Sequence, residues 1–147
     1  MSEPLNGLEI LLVEDSPADA ELTLRALRKA NLGDSTLWLQ DGQQALDFLL
    51  GEGQYAGKPP VRPQLILLDM KLPRVSGIDV LRRIKSDAHH RAIPVVMLTS
   101  SNEERDIVEA YALGVNSYLV KPVDFQSLGE QVVKAGVYWL HANRTPQ

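Results

Sequence analysis

There is no cysteine among the 147 residues, so neither a disulfide framework nor a thiolate metal site can form, and stability has to come from packing. Long apolar runs are missing too. Ile10 to Val13 and Leu65 to Leu68 are four-residue runs, far short of the ~20 residues a membrane-spanning helix requires. The opening Met1-Ser2-Glu3-Pro4 lacks the basic and apolar stretches of a secretion signal. The expected location is the cytoplasm, with no membrane partner. Positive charge is not in excess either: 15 basic against 19 acidic side chains leave a formal charge of -4, which gives no field to attract a polyanion. Direct nucleic-acid binding is therefore not expected. Arg82, Arg83 and Lys85 form the nearest thing to a basic cluster, and on one helix they read as its solvated face.

A chain of this length fits one domain, 1–147, and should bury about 68–70% of its unfolded surface. Short β-branched and Leu-rich runs alternate with longer segments of helical period, the pattern of a parallel sheet wound with helices. Five strands are predicted: Glu9 to Val13, Thr36 to Leu39, Leu65 to Leu68, Val95 to Leu98 and Ser117 to Val120. The runs ILLV, LILL and VVML are apolar without alternation, as central strands covered on both faces should be. The other two are mixed and belong nearer the edges.

Five helices fill the gaps. Ser16-Pro17 offers an N-cap and a first-turn proline, and that helix ends near Asn31 to Gly33. The others are predicted from Gly42 to Leu50, Gly77 to Ser86, Asn102 to Ala112, and Phe125 to about Leu140. The fold expected is a five-stranded, doubly wound α/β sheet of order 2-1-3-4-5, flavodoxin-like. Residues 51–63, GEGQYAGKPPVRP, read as a long loop that is neither helix nor interior strand.

In such sheets ligands bind outside the carboxyl ends of the strands. Those positions hold Glu14 and Asp15, Asp69, Thr99 and Ser100, and Lys121. Clustered carboxylates repel, by about 4 kcal/mol for two charges 4 Å apart at an effective dielectric of 20, so a cation is expected among them. An oxygen-only set suits Mg²⁺, with Mn²⁺ as the alternative, and disfavours zinc and copper. A carboxylate can also attack phosphorus to give an acyl phosphate. That transfer needs positioning and charge neutralisation more than a base, which Lys121 and Thr99 are suited to supply.

The ordered set Glu14-Asp15, Asp69 within LILLDMKLPRVSG, Thr99 within IPVVMLTSS, and Tyr118 before Lys121-Pro122 resembles response-regulator receiver domains, with a core over about 8–133 and the last helix running on to about 140. The resemblance implies a phosphoaccepting switch rather than an enzyme. Asp69 would be the phosphoacceptor, with Asp15, Asp69 and the backbone carbonyl of Lys71 as metal ligands and Glu14 acting through water. It further implies Thr99 and Tyr118 as the switch pair, Lys121 as the phosphoryl partner, and a cis Lys121-Pro122 bond. EDSPAD, DGQQALDFL, GEGQYAGKP, LPRVSG and KPVDF followed by YWL are similar to the small regulators encoded beside phytochromes. That likeness implies a sensor histidine kinase, of the phytochrome kind, as partner, and no output domain.

Two other readings use the same residues. A haloacid-dehalogenase-type phosphatase would place an acid/base aspartate two residues past the nucleophile, where this chain has Lys71. A flavodoxin-like binding module would want a hydroxyl- or glycine-rich loop after strand one, where this chain has Glu14-Asp15. Along the last helix, Phe125, Leu128, Val132, Ala135 and Trp139 make one apolar stripe, and Val133, Val137 and Leu140 a neighbouring one. Two stripes predict a homodimer through that helix and adjoining surface. His89, His90 and His141 have no ligand spacing and are assigned no role.

Overall fold

The computed structural model describes residues 8–59 and 61–145. Its strands are β1 (Ile10–Val13), β2 (Thr36–Leu39), β3 (Leu65–Leu68), β4 (Val95–Thr99) and β5 (Ser117–Val120). They form one sheet in the order β2-β1-β3-β4-β5, with every neighbouring pair parallel. Helices α1 (Pro17–Lys29), α2 (Gly42–Leu50), α3 (Gly77–Ser86), α4 (Glu104–Ala112) and α5 (Phe125–Gly136) alternate with them. The two mixed strands are the two edges, as their composition requires. None of the described helices is long and apolar enough to cross a membrane.

The unbroken apolar strands follow from a core on each face. Leu11, Val13, Ile66, Leu68, Val95 and Met97 point into one, closed by α2, α3 and Ala110 of α4. Ile10, Leu12, Leu65, Leu67, Val96 and Leu98 point into the other, closed by α1 and α5. Because successive strand residues face opposite ways, every position on a doubly covered strand is buried and polar alternation vanishes. Full burial of each such side chain contributes roughly 1.5–3 kcal/mol.

Helix starts are set by capping. Ser16, Asp41, Ser76 and Asp124 each accept the backbone N–H three residues on, satisfying a donor the helix leaves unpaired. Observed bounds differ from the predicted ones by a residue or two at Glu9, Thr99 and Asn102, the usual spread at element ends.

Three expectations are corrected. The 51–63 loop contains a 3₁₀ turn at Gly53–Tyr55, allowed because Gly53 takes φ 55°. Tyr55 packs edge-on against Phe48 with ring centroids 5.2 Å apart, which ties the loop to α2. The last helix is not one continuous α-helix to Leu140, for it passes at Val137 into a π-helical turn, Val137–Ala142. Its stripes are also redistributed: Leu128, Val132 and Ala135 are buried and Val133, Trp139 and Leu140 pack on the same core. Phe125, Val137 and Tyr138 remain exposed, since α1 covers only one side of the helix.

Two glycines let neighbouring elements close on the carboxyl edge. A Cβ on Gly77 would fall 2.0 Å from the Asp69 carbonyl oxygen, and one on Gly42 would fall 1.8 Å from that of Val75. Between them Arg74, in the left-handed region at φ 66°, reaches Asp41 Oδ1 at 3.0 Å. The β3–α3 loop is thereby fastened to the start of α2.

Candidate functional site

The order β2-β1-β3 places the reversal of winding beside β1, where a crevice opens at the carboxyl ends of β1 and β3. Glu14 and Asp15 follow β1, and Asp69 follows β3 in register beside them, its N–H donating to the Val13 carbonyl at 3.1 Å. Glu14, Asp15 and Asp69 each present an oxygen, all within 4.8 Å of one another. Glu14 and Asp69 are buried and Asp15 is exposed. The donor set is entirely carboxylate, converges on one point and stays open to solvent at Asp15, so it fits a hard divalent cation.

Lys121 answers the same charge from the end of β5. Its Nζ lies 2.7 Å from Glu14 Oε1, 2.9 Å from Asp19 Oδ2 and 3.0 Å from Asp69 Oδ2. Burial alone would lower the lysine, but hydrogen bonds to Glu14 and Asp19 and the Asp69 charge outweigh it and hold Lys121 above its ordinary value. Burial pushes the Glu14 carboxyl up to about 7, the Asp69 charge adding to it and the Lys121 ammonium opposing it. The second Glu14 oxygen accepts the Ser16 N–H at 3.1 Å.

The Lys121-Pro122 bond expected to be cis is not: no peptide bond is cis among the described residues. Trans is favoured before proline by about 0.5–1 kcal/mol, and the ammonium reaches all three carboxylates from a trans backbone.

Lys71 lies where its N–H donates to Asp69 Oδ1 at 3.2 Å, so its peptide borders the Asp69 carboxylate. Its side chain is exposed. A phosphatase would need an acid at this position.

Thr99 ends β4 fully buried, and its hydroxyl accepts the Ser101 N–H at 3.3 Å. Tyr118 donates its hydroxyl to the Ser101 carbonyl at 2.9 Å. Burial, with the charges of Asp106, Asp69 and Glu103 behind it, holds that phenol above its ordinary value, against the Ser101 hydrogen bond. The Ser101 hydroxyl donates in turn to Asp106 Oδ2 at 2.5 Å. Thr99 and Tyr118 thus meet through one serine, which also grips the first turn of α4.

Sequence reasoning anticipated the meeting of Glu14, Asp15, Asp69 and Lys121 at one rim, and the structure joins Thr99 and Tyr118 through Ser101. Sequence reasoning missed Asp19, Ser101 and Asp106. The available signal for Asp19 was its place one turn beyond Glu14-Asp15. For Ser101 and Asp106 the signal was their position at the start of the helix that follows Thr99.

The model of the response regulator receiver domain matches residues 10–133. The chain belongs to that family. The receiver is 46% identical to the probable methanogenesis regulatory protein FilR2 of Methanothrix harundinacea over 138 residues, covering 93% of this chain and 86% of that one. It is 40% identical to the response regulator Rcp1 of Synechocystis over 137 residues, covering 93% and 92%. The crystal structure of the phosphorylated cyanobacterial phytochrome response regulator RcpA superposes with a TM-score of 0.88 at 38% identity, covering 96% of this chain and 99% of that one. Rcp1 in its Mn(2+)-bound form gives 0.86 at 38%, covering 95% and 99%. Receivers serve two-component phosphorelay signalling as phosphoaccepting switches rather than as classical enzymes, and the carboxylate rim is compatible with a divalent ion. The phosphatase and flavodoxin-like readings are not favoured.

Proposed function

We propose that this receiver accepts a phosphoryl group on Asp69 from the phosphohistidine of a sensor histidine kinase, in the cytoplasm. The observation that carries the reading is the Lys121 ammonium set 3.0 Å from Asp69 Oδ2 within a rim of carboxylates. An Asp69 oxygen forms a bond to phosphorus as the phosphorus–nitrogen bond of the donor breaks and its electron pair stays on the imidazole. Mg²⁺, with Mn²⁺ as the substitute, held by Asp15, Asp69 and the Lys71 carbonyl and through water by Glu14, would neutralise charge on the transferring group. Lys121 neutralises charge from the β5 side, and the Thr99 hydroxyl closes onto a phosphoryl oxygen. In this reading transfer is catalysed by the chain itself and dephosphorylation is slow.

Turning the Thr99 hydroxyl toward the phosphoryl group takes it from the Ser101 N–H, and Tyr118 moves inward behind it. Ser101 and Asp106 pass this to α4, so the surface that changes is built from α4, β5 and α5. Similarity to the phytochrome response regulator RcpA favours a kinase of the phytochrome kind. A homodimer through α5 and the β5 edge completes the reading. It is supported by exposed Val137 and Tyr138 and by a depression of about 290 Å³ between Ser117, Gln131 and Tyr138. The Gln131 amide oxygen is buried there without a partner among the described residues.

Labelling by phosphoramidate or acetyl phosphate tests the acceptor. Label is expected only with Mg²⁺, and none in Asp69→Asn. Label that survives Asp69→Asn, or that ignores the metal, overturns the assignment. For the dimer, sedimentation should give a mass rising with concentration across the micromolar range; a constant monomer mass with and without phosphoryl donor refutes it.

A further inference from the structure

Three carboxylates share the Lys121 ammonium, and one of them stands outside the rim. Glu14 and Asp69 belong to the converging group with Asp15; Asp19 does not. Its Oδ2 nevertheless lies 2.9 Å from Lys121 Nζ, between the Glu14 contact at 2.7 Å and the Asp69 contact at 3.0 Å. An ammonium has three donors, so a full third of its hydrogen bonding goes to a residue with no place in the acceptor cluster.

An acidic residue in the first turn of a helix ordinarily serves the helix, by its charge or by a capping box. In a capping box this side chain would reach back to the cap residue's N–H. Here the Ser16 N–H donates to Glu14 Oε2 at 3.1 Å instead, which leaves the Asp19 carboxylate turned to Lys121. The post it stands on is rigid: the Asp19 N–H donates to Ser16 Oγ at 3.3 Å, and its carbonyl accepts the Thr23 hydroxyl at 2.8 Å. Thr23 is itself buried, so Asp19 is fixed to α1 on both sides.

In the proposed transfer an Asp69 oxygen would bond to phosphorus and Glu14 would help to hold the cation, so both would change partners. Asp19 is the acceptor that need not move. A lysine head rides on a flexible four-carbon stem, and holding it in place before the phosphoryl group arrives removes an ordering cost from the reaction step.

We infer that Asp19 is a positioning residue for phosphotransfer, a fixed anchor that keeps the Lys121 ammonium beside Asp69 Oδ2. The inference rests on Asp69 as the acceptor. In the step an Asp69 oxygen bonds to phosphorus while the donor's leaving group departs with its electron pair; Asp19 exchanges no proton and touches no reacting atom.

The test is the initial rate of phosphoramidate labelling at saturating Mg²⁺ in the full chain. Asp19→Ala and Asp19→Asn are each compared with the unaltered residue, with Lys121 intact and with Lys121→Ala. With Lys121 intact, Asp19→Ala should slow labelling by about tenfold, and Asp19→Asn, which keeps an oxygen acceptor, by less. With Lys121→Ala neither change should slow it further, because the anchor has nothing left to hold. An unchanged rate with Lys121 intact overturns the inference, as does an equal slowing in both backgrounds, which would mark Asp19 as a helix residue only. If Asp19→Ala does not fold, the near-isosteric Asp19→Asn carries the same comparison. Failure of the parent reading looks different: the unaltered chain takes no label, or Asp69→Asn takes as much, and the inference falls with it.

Discussion

A half-buried lysine sits at each end of the sheet, and the two are held by opposite chemistry. At the carboxyl end Lys121 meets three carboxylates and stays above its ordinary value in spite of burial. At the amino end Lys85, from the last turn of α3, donates to the Arg91 carbonyl at 3.1 Å, the Ile93 carbonyl at 2.9 Å and Asn116 Oδ1 at 3.1 Å. Burial pulls Lys85 below its ordinary value, and among the described residues no carboxylate pairs with it. Neutral oxygens make Lys85 a tie between the approaches to β4 and β5, whereas charged oxygens make Lys121 a counter-ion. What separates the two lysines is the charge of their acceptors, since both are partly buried and fully hydrogen-bonded.

The sharpest way to break this contrast is to remove each ammonium. Lys121→Ala should slow phosphoramidate labelling by about a hundredfold, the usual cost of losing one charge-stabilising donor, while Lys85→Met should leave the labelling rate unchanged. Equal slowing by both would dissolve the distinction. Next in size is stability, read by urea denaturation. Lys85→Met leaves the Arg91 and Ile93 carbonyls without this donor, while Asn116 Oδ1 keeps the Val95 N–H, and should cost about 1–3 kcal/mol.

The smallest effect is on pH. Burial pushes the Glu14 carboxyl up from its ordinary 4.5 to about 7. Its proton is therefore held more tightly folded than unfolded, and that contribution to stability, complete below pH 4.5, is lost as pH rises through about 7. A divalent ion has to displace the same proton, so affinity measured calorimetrically should rise about tenfold from pH 6 to pH 8. Lys85→Met should not alter that profile. A flat affinity across this range would mean that Glu14 is not part of the metal's surroundings.

The sequence was most legible where one cause acts alone. ILLV, LILL and VVML could only be strands buried on both faces, and the two cores confirm it at Leu11 and Leu12, neighbours that face opposite ways. Glu14, Asp15, Asp69 and Lys121 were legible because strand ends in a wound sheet converge. Less legible were features settled by competition between partners. Asp19 looks like any first-turn acid until Ser16 chooses Glu14 and Lys121 arrives from the far end of the chain. Phe125 sits at helical spacing from Leu128 and Val132 yet stays exposed, since periodicity says which residues share a face and not how far a neighbouring helix extends over it. The trans Lys121-Pro122 bond was not legible either, and the ammonium reaches all three carboxylates from it.

The closeness of Gly77 to the Asp69 backbone leaves no space between α3 and the end of β3. With no room for even a methyl group against the Asp69 carbonyl, α3 works as a wall on that flank, and the Arg74–Asp41 clasp braces it from behind. On the proposed reading a dianion on Asp69 would meet that wall on one flank and the end of β4, at Thr99, on the other, so a single missing side chain biases which way the scaffold yields.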